Sequence, residues 1–185
     1  MSGKSAAVAG LSGAALALVV AMLPPMEGVR YTPYRDPVGV LTVCYGHTGN
    51  DIIQGKKYTK AECVKLLEKD VKTHSKALQC VTQPLTFYQQ AAFTSFAYNI
   101  GVAGFCKSKA AQRANEGNMV AACANMELHV KAKDRKTGKY VKLPGLVKRR
   151  AFERAVCDGD FERAQKLGKQ FGIDLFGAMN EQADD

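Results

Sequence analysis

The sequence has no CxxC pair among its six cysteines, which sets aside the usual zinc and thioredoxin-like spacings. It has no helix-turn-helix, zinc-finger or RNA-binding aromatic signature, so the formal net charge of +9 does not mark a nucleic-acid-binding module. Low-complexity tracts and repeats at solenoid periods are missing too, which leaves no array or fibrous architecture to consider. No charged residue occurs from Ala6 to Leu23. What is present, 185 residues of which 46% are hydrophobic and 23% charged, suits one globular catalytic body with a modest core. The excess positive charge fits an anionic membrane or the bacterial cell wall, or is simply a solvated face.

Cys44, Cys63, Cys80, Cys106, Cys123 and Cys157 are even in number and scattered, which reads as disulfides formed in an oxidising compartment such as the periplasm. Six cysteines allow fifteen pairings. Chain neighbourhood favours Cys44 with Cys63, Cys80 with Cys106, and Cys123 with Cys157.

Lys4 followed by the uncharged run from Ala6 to Leu23 matches the flank and apolar core of an export signal. Met22-Leu23-Pro24-Pro25 lacks the small residues that a signal peptidase needs, so the segment is expected to stay attached. Its 18 residues fall short of the ~20 that span a bilayer, and Gly10, Ser12, Gly13 and many alanines make it weakly apolar. Marginal membrane residence is the favoured reading. The alternative, an Ala-rich buried helix of a soluble domain, is weakened by the lack of a polar stripe.

Beyond Pro25 the pattern predicts a short turn of helix at most, closing at Gly28. An extended stretch from Arg30 to Arg35, the turn Asp36-Pro37-Val38-Gly39 and a second strand from Val40 to Tyr45 then form a small hairpin. Capping-box pairs, Thr59 with Glu62 and Thr86 with Gln89, open helices over about 60–79 and 87–99. Further helices are predicted over 108–115 and 119–129, with Gly101 and Gly117 as stops. The lysine-rich stretch 131–142 reads as a loop or weak hairpin, Pro144 starts a helix running to Cys157, and 160–171 adds one more. Residues 178–185 are expected to fray.

Glycoside hydrolysis needs a protonated carboxyl to give its proton to the leaving oxygen and an ionised one on the other face. Glu27, at a helix end, and Asp36, in the hairpin turn nine positions on, satisfy that need if the chain folds back. Residue type alone makes both ordinary surface groups, and Asp-Pro-x-Gly has its own local reason as a turn.

The run from Glu27 to His47, EGVRYTPYRDPVGVLTVCYGH, resembles the catalytic segment of phage-type lysozymes. FAYNIG from Phe96 to Gly101 is similar to that family's helix ending in Asn-x-Gly, and LPGLVKRRAFER from Leu143 to Arg154 to its later Arg-Arg-x-x-Glu segment. Joined to the weak apolar run, these resemble the signal-anchor-release endolysins of lambdoid phages. The resemblance implies an α+β, mostly helical fold: a small hairpin lobe, a larger helical lobe and an active-site cleft between them. It implies an uncleaved anchor and linker over 1–25 and a lysozyme domain over 26–157, whereas the helical extension and tail over 158–185 depart from it by running past where close relatives usually end.

By the same resemblance Glu27, Asp36 and Thr42 are catalytic, His47 and Asn99 are weaker substrate-contact candidates, and peptidoglycan glycan strands are the partner. Neither metal nor organic cofactor is implied. The expected activity is hydrolysis between N-acetylmuramic acid and N-acetylglucosamine by a monomer, tethered to the host inner membrane and then released to the periplasm. A lytic transglycosylase or a non-catalytic wall-binding protein is the alternative. Arg149 and Arg150 read as helix-capping, solvated cations rather than wall contacts. Cys44 departs from the family, standing where many members have glycine.

Overall fold

The computed structural model describes residues 10–36, 39–134 and 137–180, the last three by backbone alone. Parts of four expectations fall outside it: the start of the export-signal segment, with Lys4 and 6–9 of the uncharged run, Pro37-Val38 of the turn, 135–136 of the lysine-rich stretch, and the tail at 181–185.

Helix α1 covers Gly13–Glu27. Ser12 caps it, its Oγ accepting from the Ala15 N–H at 3.3 Å, and the Ser12 N–H donates to Gln90 Oε1 at 3.0 Å. Ala15, Leu18, Val19, Met22 and Leu23 recur at helical spacing and are buried in the core. The short turn predicted beyond Pro25 is instead the end of α1: both prolines lie inside the helix, which closes at Gly28 as expected, the Gly28 N–H reaching the Pro24 carbonyl at 3.0 Å. Two interior prolines cost a helix about 6 kcal/mol or more. Burying Leu18, Val19, Met22 and Leu23 returns about 6–12 kcal/mol, enough to offset a cost of that size. Among the described residues no helix is long and apolar enough to cross a membrane.

Strands β1 (Arg30–Arg35) and β2 (Leu41–Cys44) form an antiparallel hairpin, with Tyr34 opposite Thr42 and an irregularity between Arg30 and Tyr34. Helix α2 (Lys60–His74) and helix α3 (Phe87–Ile100) both open on the predicted capping boxes. A 3-10 segment, Ser75–Cys80, follows α2. Helix α3 is buried on every side from Gln90 to Ala97, polar Gln90, Thr94 and Ser95 included, and α1 and α2 pack on it. It ends at Gly101, whose φ of 81° suits glycine, and a short helix missed by the pattern, α4 (Val102–Cys106), starts there.

Helices α5 (Lys109–Asn115) and α6 (Met119–Asn125) follow, then the hairpin of β3 (Lys131–Lys133) and β4 (Tyr140–Lys142). Helix α7 (Pro144–Cys157) begins at its proline and packs on α3. Helix α8 (Phe161–Gly168), a 3-10 turn Lys169–Phe171 and helix α9 (Leu175–Asn180) complete the described chain, with α9 packed on α1. The sequence pattern gave no sign of α9.

The disulfides are Cys44–Cys63, Cys80–Cys106 and Cys123–Cys157, the pairs that chain neighbourhood favours. They close 19, 26 and 34 residues respectively. Restricting the unfolded chain over such loops is worth ~3–4 kcal/mol each.

Cys44 has φ 59°, the one non-glycine residue with positive φ among those described. That conformation costs about 1–2 kcal/mol for a residue with a Cβ, a cost that glycine avoids. Here the side chain is buried in the core, and its disulfide to Cys63 ties the hairpin to α2.

Candidate active site

Glu27 is the last residue of α1, so the packing of that helix fixes where its carboxylate lies. Arg149 of α7 donates from Nη1 to Glu27 Oε1 at 2.5 Å. Arg149 also donates from Nε to Glu153 Oε1 at 2.9 Å and from Nη2 to the Ser95 carbonyl at 3.2 Å. Ser95 Oγ donates to Glu153 at 2.7 Å. On the other side, Arg150 donates from Nη1 to Glu153 and from Nη2 to Asn99 Oδ1, while its Cζ lies 4.7 Å from the centre of the Phe96 ring.

Neither arginine is a solvated cap: Arg149 is 5% exposed, and Arg150 and Glu153 are fully buried. A helix-end position says nothing of the partners that bury these two cations. Glu153 lies four residues beyond Arg149 and three beyond Arg150, so all three share one face of α7. Burial opposes the Arg149 charge, but Glu153 and Glu27 outweigh it and hold the guanidinium above its ordinary pKa. For Arg150 burial prevails over Glu153, helped by the repulsion of Arg149, and its pKa is lowered.

Glu153 is thus the anion on which two buried cations depend. Glu153→Ala is expected to destabilise the protein by about 3–5 kcal/mol, since it strands charge in the core. Urea denaturation of the variant checks this; a loss below about 1 kcal/mol contradicts the dependence.

A cavity of about 450 Å³ opens at Glu27. Its polar groups are Glu27, Asn99 and Arg149, and its walls come from Met26, the Leu143–Leu146 segment at the start of α7, and Phe171. Asn99 lies at this cavity with its Oδ1 held by Arg150. Phe171 had no motif to announce it.

Asp36 and Thr42 do not line that cavity. They are joined to each other through Val40 on the hairpin. Asp36 accepts at Oδ1 from the Val40 N–H at 2.9 Å, and the Val40 carbonyl accepts from both the Asp36 N–H at 2.9 Å and Thr42 Oγ1 at 3.1 Å. Thr42 is 4% exposed. The hairpin that carries the pair begins at Arg30, so Glu27 stands at its root.

His47 is 3% exposed, with Nδ1 at 2.9 Å from Asp70 and Nε2 at 2.9 Å from Asp51. Both ring nitrogens are engaged, and the bridge from Val43 to His47 holds the loop after β2 against α2. No ring nitrogen remains for a sugar. Burial raises the Asp70 carboxyl despite its bond to His47, whereas Lys69 and then His47 hold Asp51 well below the usual carboxylate range. Among the described residues no group of His, Cys, Asp and Glu has the arrangement of a metal site.

The phage lysozyme family model matches residues 25–153, which takes in Glu27, the hairpin, α3 and the Arg149–Glu153 cluster. The chain is 39% identical over 161 residues to the SAR-endolysin of Bacteriophage PS119, covering 83% of this chain and 93% of that one. Among solved structures, the muramidase domain of SpmX from Asticcacaulis excentricus superposes with a TM-score of 0.69 at 30% identity, over 80% of this chain and 96% of that one. The endolysin from Escherichia coli O157:H7 phage FAHEc1 superposes with a TM-score of 0.69 at 28% identity, over 80% and 93%. With a model match over most of its length, and relatives covered almost end to end, this chain belongs to the phage lysozyme family.

Proposed function

We propose that the protein is an endolysin that hydrolyses peptidoglycan at the β-1,4 bond between N-acetylmuramic acid and N-acetylglucosamine, lysing the host cell and releasing phage. The observation that carries this reading is Glu27, set by a packed helix end in a cavity of mixed polar and apolar lining. In the proposed step Glu27 gives its proton to the oxygen of the leaving sugar. Asp36 and Thr42, which stand on the hairpin outside that cavity, are proposed to serve the opposite face of the ring once glycan is bound, Asp36 taking the proton of the attacking water and Thr42 helping to hold that water against the anomeric carbon. The C–O bond to the leaving sugar breaks as the bond to water forms, with inversion and a free reducing end as product. Arg149 acts as a positioning residue, fixing the Glu27 carboxyl by one of its two oxygens.

The experiment is mass spectrometry of products from purified sacculi. Hydrolysis predicts free reducing ends. Anhydro-muramic ends mean that the sugar closed on itself without water, and no products mean a wall-binding protein.

The mature arrangement is proposed to follow export. Residues 6–23 tether the chain in the host inner membrane facing the periplasm, and the active monomer forms on release. In this division 1–25 is the anchor and linker, 26–157 the lysozyme domain and 158–185 an extension. The border at 25/26 falls within α1, so the reading makes one helix serve two environments in turn.

A further inference from the structure

The matched family region ends at residue 153, yet the chain beyond it reaches back to the cavity that holds Glu27. Helix α8 and the turn after it end in a left-handed reversal at Gly172, φ 77°. There the Ile173 N–H reaches the Gly168 carbonyl and the Gly172 N–H the Lys169 carbonyl, each at 3.1 Å. This paired closure is a Schellman turn, and it sends adjacent side chains to opposite destinations. Phe171 lines the cavity, its ring centre 6.0 Å from that of Phe152, while Ile173 and Leu175 enter the core at 4% and 0% exposure.

The turn is held tightly. A Cβ added at Gly168 would come within 3.2 Å of the Phe152 ring and 3.3 Å of the Ile173 Cβ, so that position has no spare room. Gln165 accepts from the Leu175 N–H at 2.8 Å and donates to Asp174 at 3.1 Å, fixing the chain just past the reversal. Helix α9 then packs on α1, whose last residue is Glu27. The extension thus fastens the helix that carries the carboxyl and supplies a wall beside it.

Resting on the glycosidase reading above, we infer that residues 161–175 are a working part of the cleavage site. Phe171 is the apolar platform that receives the face of an N-acetylated sugar next to Glu27. Phe171 and Met26 offer apolar surface, whereas Glu27, Asn99 and Arg149 offer polar groups. A pyranose bearing an acetamido group has one apolar face and polar edges, and matches that division.

The test uses the full-length protein and variants Phe171→Ala and Phe171→Leu, with peptide-free soluble glycan strands as substrate. Reducing ends are measured against substrate concentration, and thermal unfolding is recorded for each variant. Phe171→Ala is expected to raise KM about tenfold with kcat changed by less than about twofold, because an apolar contact is lost from the bound sugar. Leucine should restore most of the KM. An unchanged KM in an active Phe171→Ala protein overturns the platform and leaves the glycosidase reading intact. A fall in kcat alone, matched by a lower Tm, also overturns it, since that marks a merely structural side chain. If the unsubstituted protein releases no reducing ends, the glycosidase reading itself fails and the platform with it.

Discussion

Glu27→Gln is expected to lower the rate of glycan cleavage by about 10²–10⁴-fold, the loss typical when a positioned general acid is removed. Glutamine has the size of glutamate and keeps an amide oxygen at the place of Oε1, so it still accepts from Arg149 Nη1. Arg149 also retains Glu153 and the Ser95 carbonyl. The variant therefore gives up a proton donor without opening the core. Its unfolding temperature should fall by only a few degrees, in keeping with the ~1–2 kcal/mol effect of weakening one charge-assisted hydrogen bond. Turbidity loss on chloroform-treated Gram-negative cells, together with reducing-end release, measures the effect. A folded Glu27→Gln protein that keeps more than about a tenth of the parent rate removes Glu27 from the acid role.

The parts of this molecule that were legible in the sequence are those with local causes. Thr59 and Thr86 announce α2 and α3 because a capping box closes within four residues, and Gly101 stops α3 because its φ is positive. The hairpin was legible from its β-branched and aromatic residues, and α7 from Pro144 at its start. What escaped has distant causes. Arg149 meets Glu27 across 122 positions, and whether an Arg-Arg pair is solvated or buried depends on which face of α7 meets α3. Phe171 is one of three phenylalanines beyond Cys157 until the left-handed turn at Gly172 aims it. The continuity of α1 through Pro24-Pro25 was hidden for a similar reason, because the local penalty is visible in the sequence and the offsetting burial is not.

The candidate site divides in the same way. Glu27, Asp36 and Thr42 come from a motif resemblance, and the structure adds local detail to each: the grip of Arg149 on the first, and a shared tie to Val40 for the other two. His47 was singled out for standing beside the motif. Asp70, whose bond to its ring occupies it, is 23 residues further on in α2, where no pattern in the motif points.

Gly10→Leu with Gly13→Leu is expected to hold the protein in the membrane and silence it in the host, while leaving the folded enzyme able to work. Leucine makes the uncharged run more apolar at two positions, which favours retention in the bilayer. In the folded form the same changes meet no obstacle, because a Cβ added at either glycine finds nothing within 4 Å. Ser12 is left alone, since its hydroxyl caps α1 and its N–H reaches Gln90; replacing it would weaken the folded state and confuse the outcome.

The logic is one of exclusion. Leu18, Val19, Met22 and Leu23 cannot face lipid and the core of this fold at once, and Glu27 lies four residues beyond Leu23 on the same helix. While the segment is inserted, the cavity lacks its carboxyl. No cysteine lies between Ala6 and Leu23, and the six cysteines of the chain bond to one another. Under the proposed tethering, a thiol freed from the membrane has no part in release, and docking of α1 is the step expected to complete the site. Fractionation should find the double variant in the membrane of cells that fail to lyse on time, and the same polypeptide refolded from detergent should cleave glycan at close to the parent rate. Normal lysis by a variant that remains wholly in the membrane fraction would show that Glu27 works from there, and positional control would be abandoned.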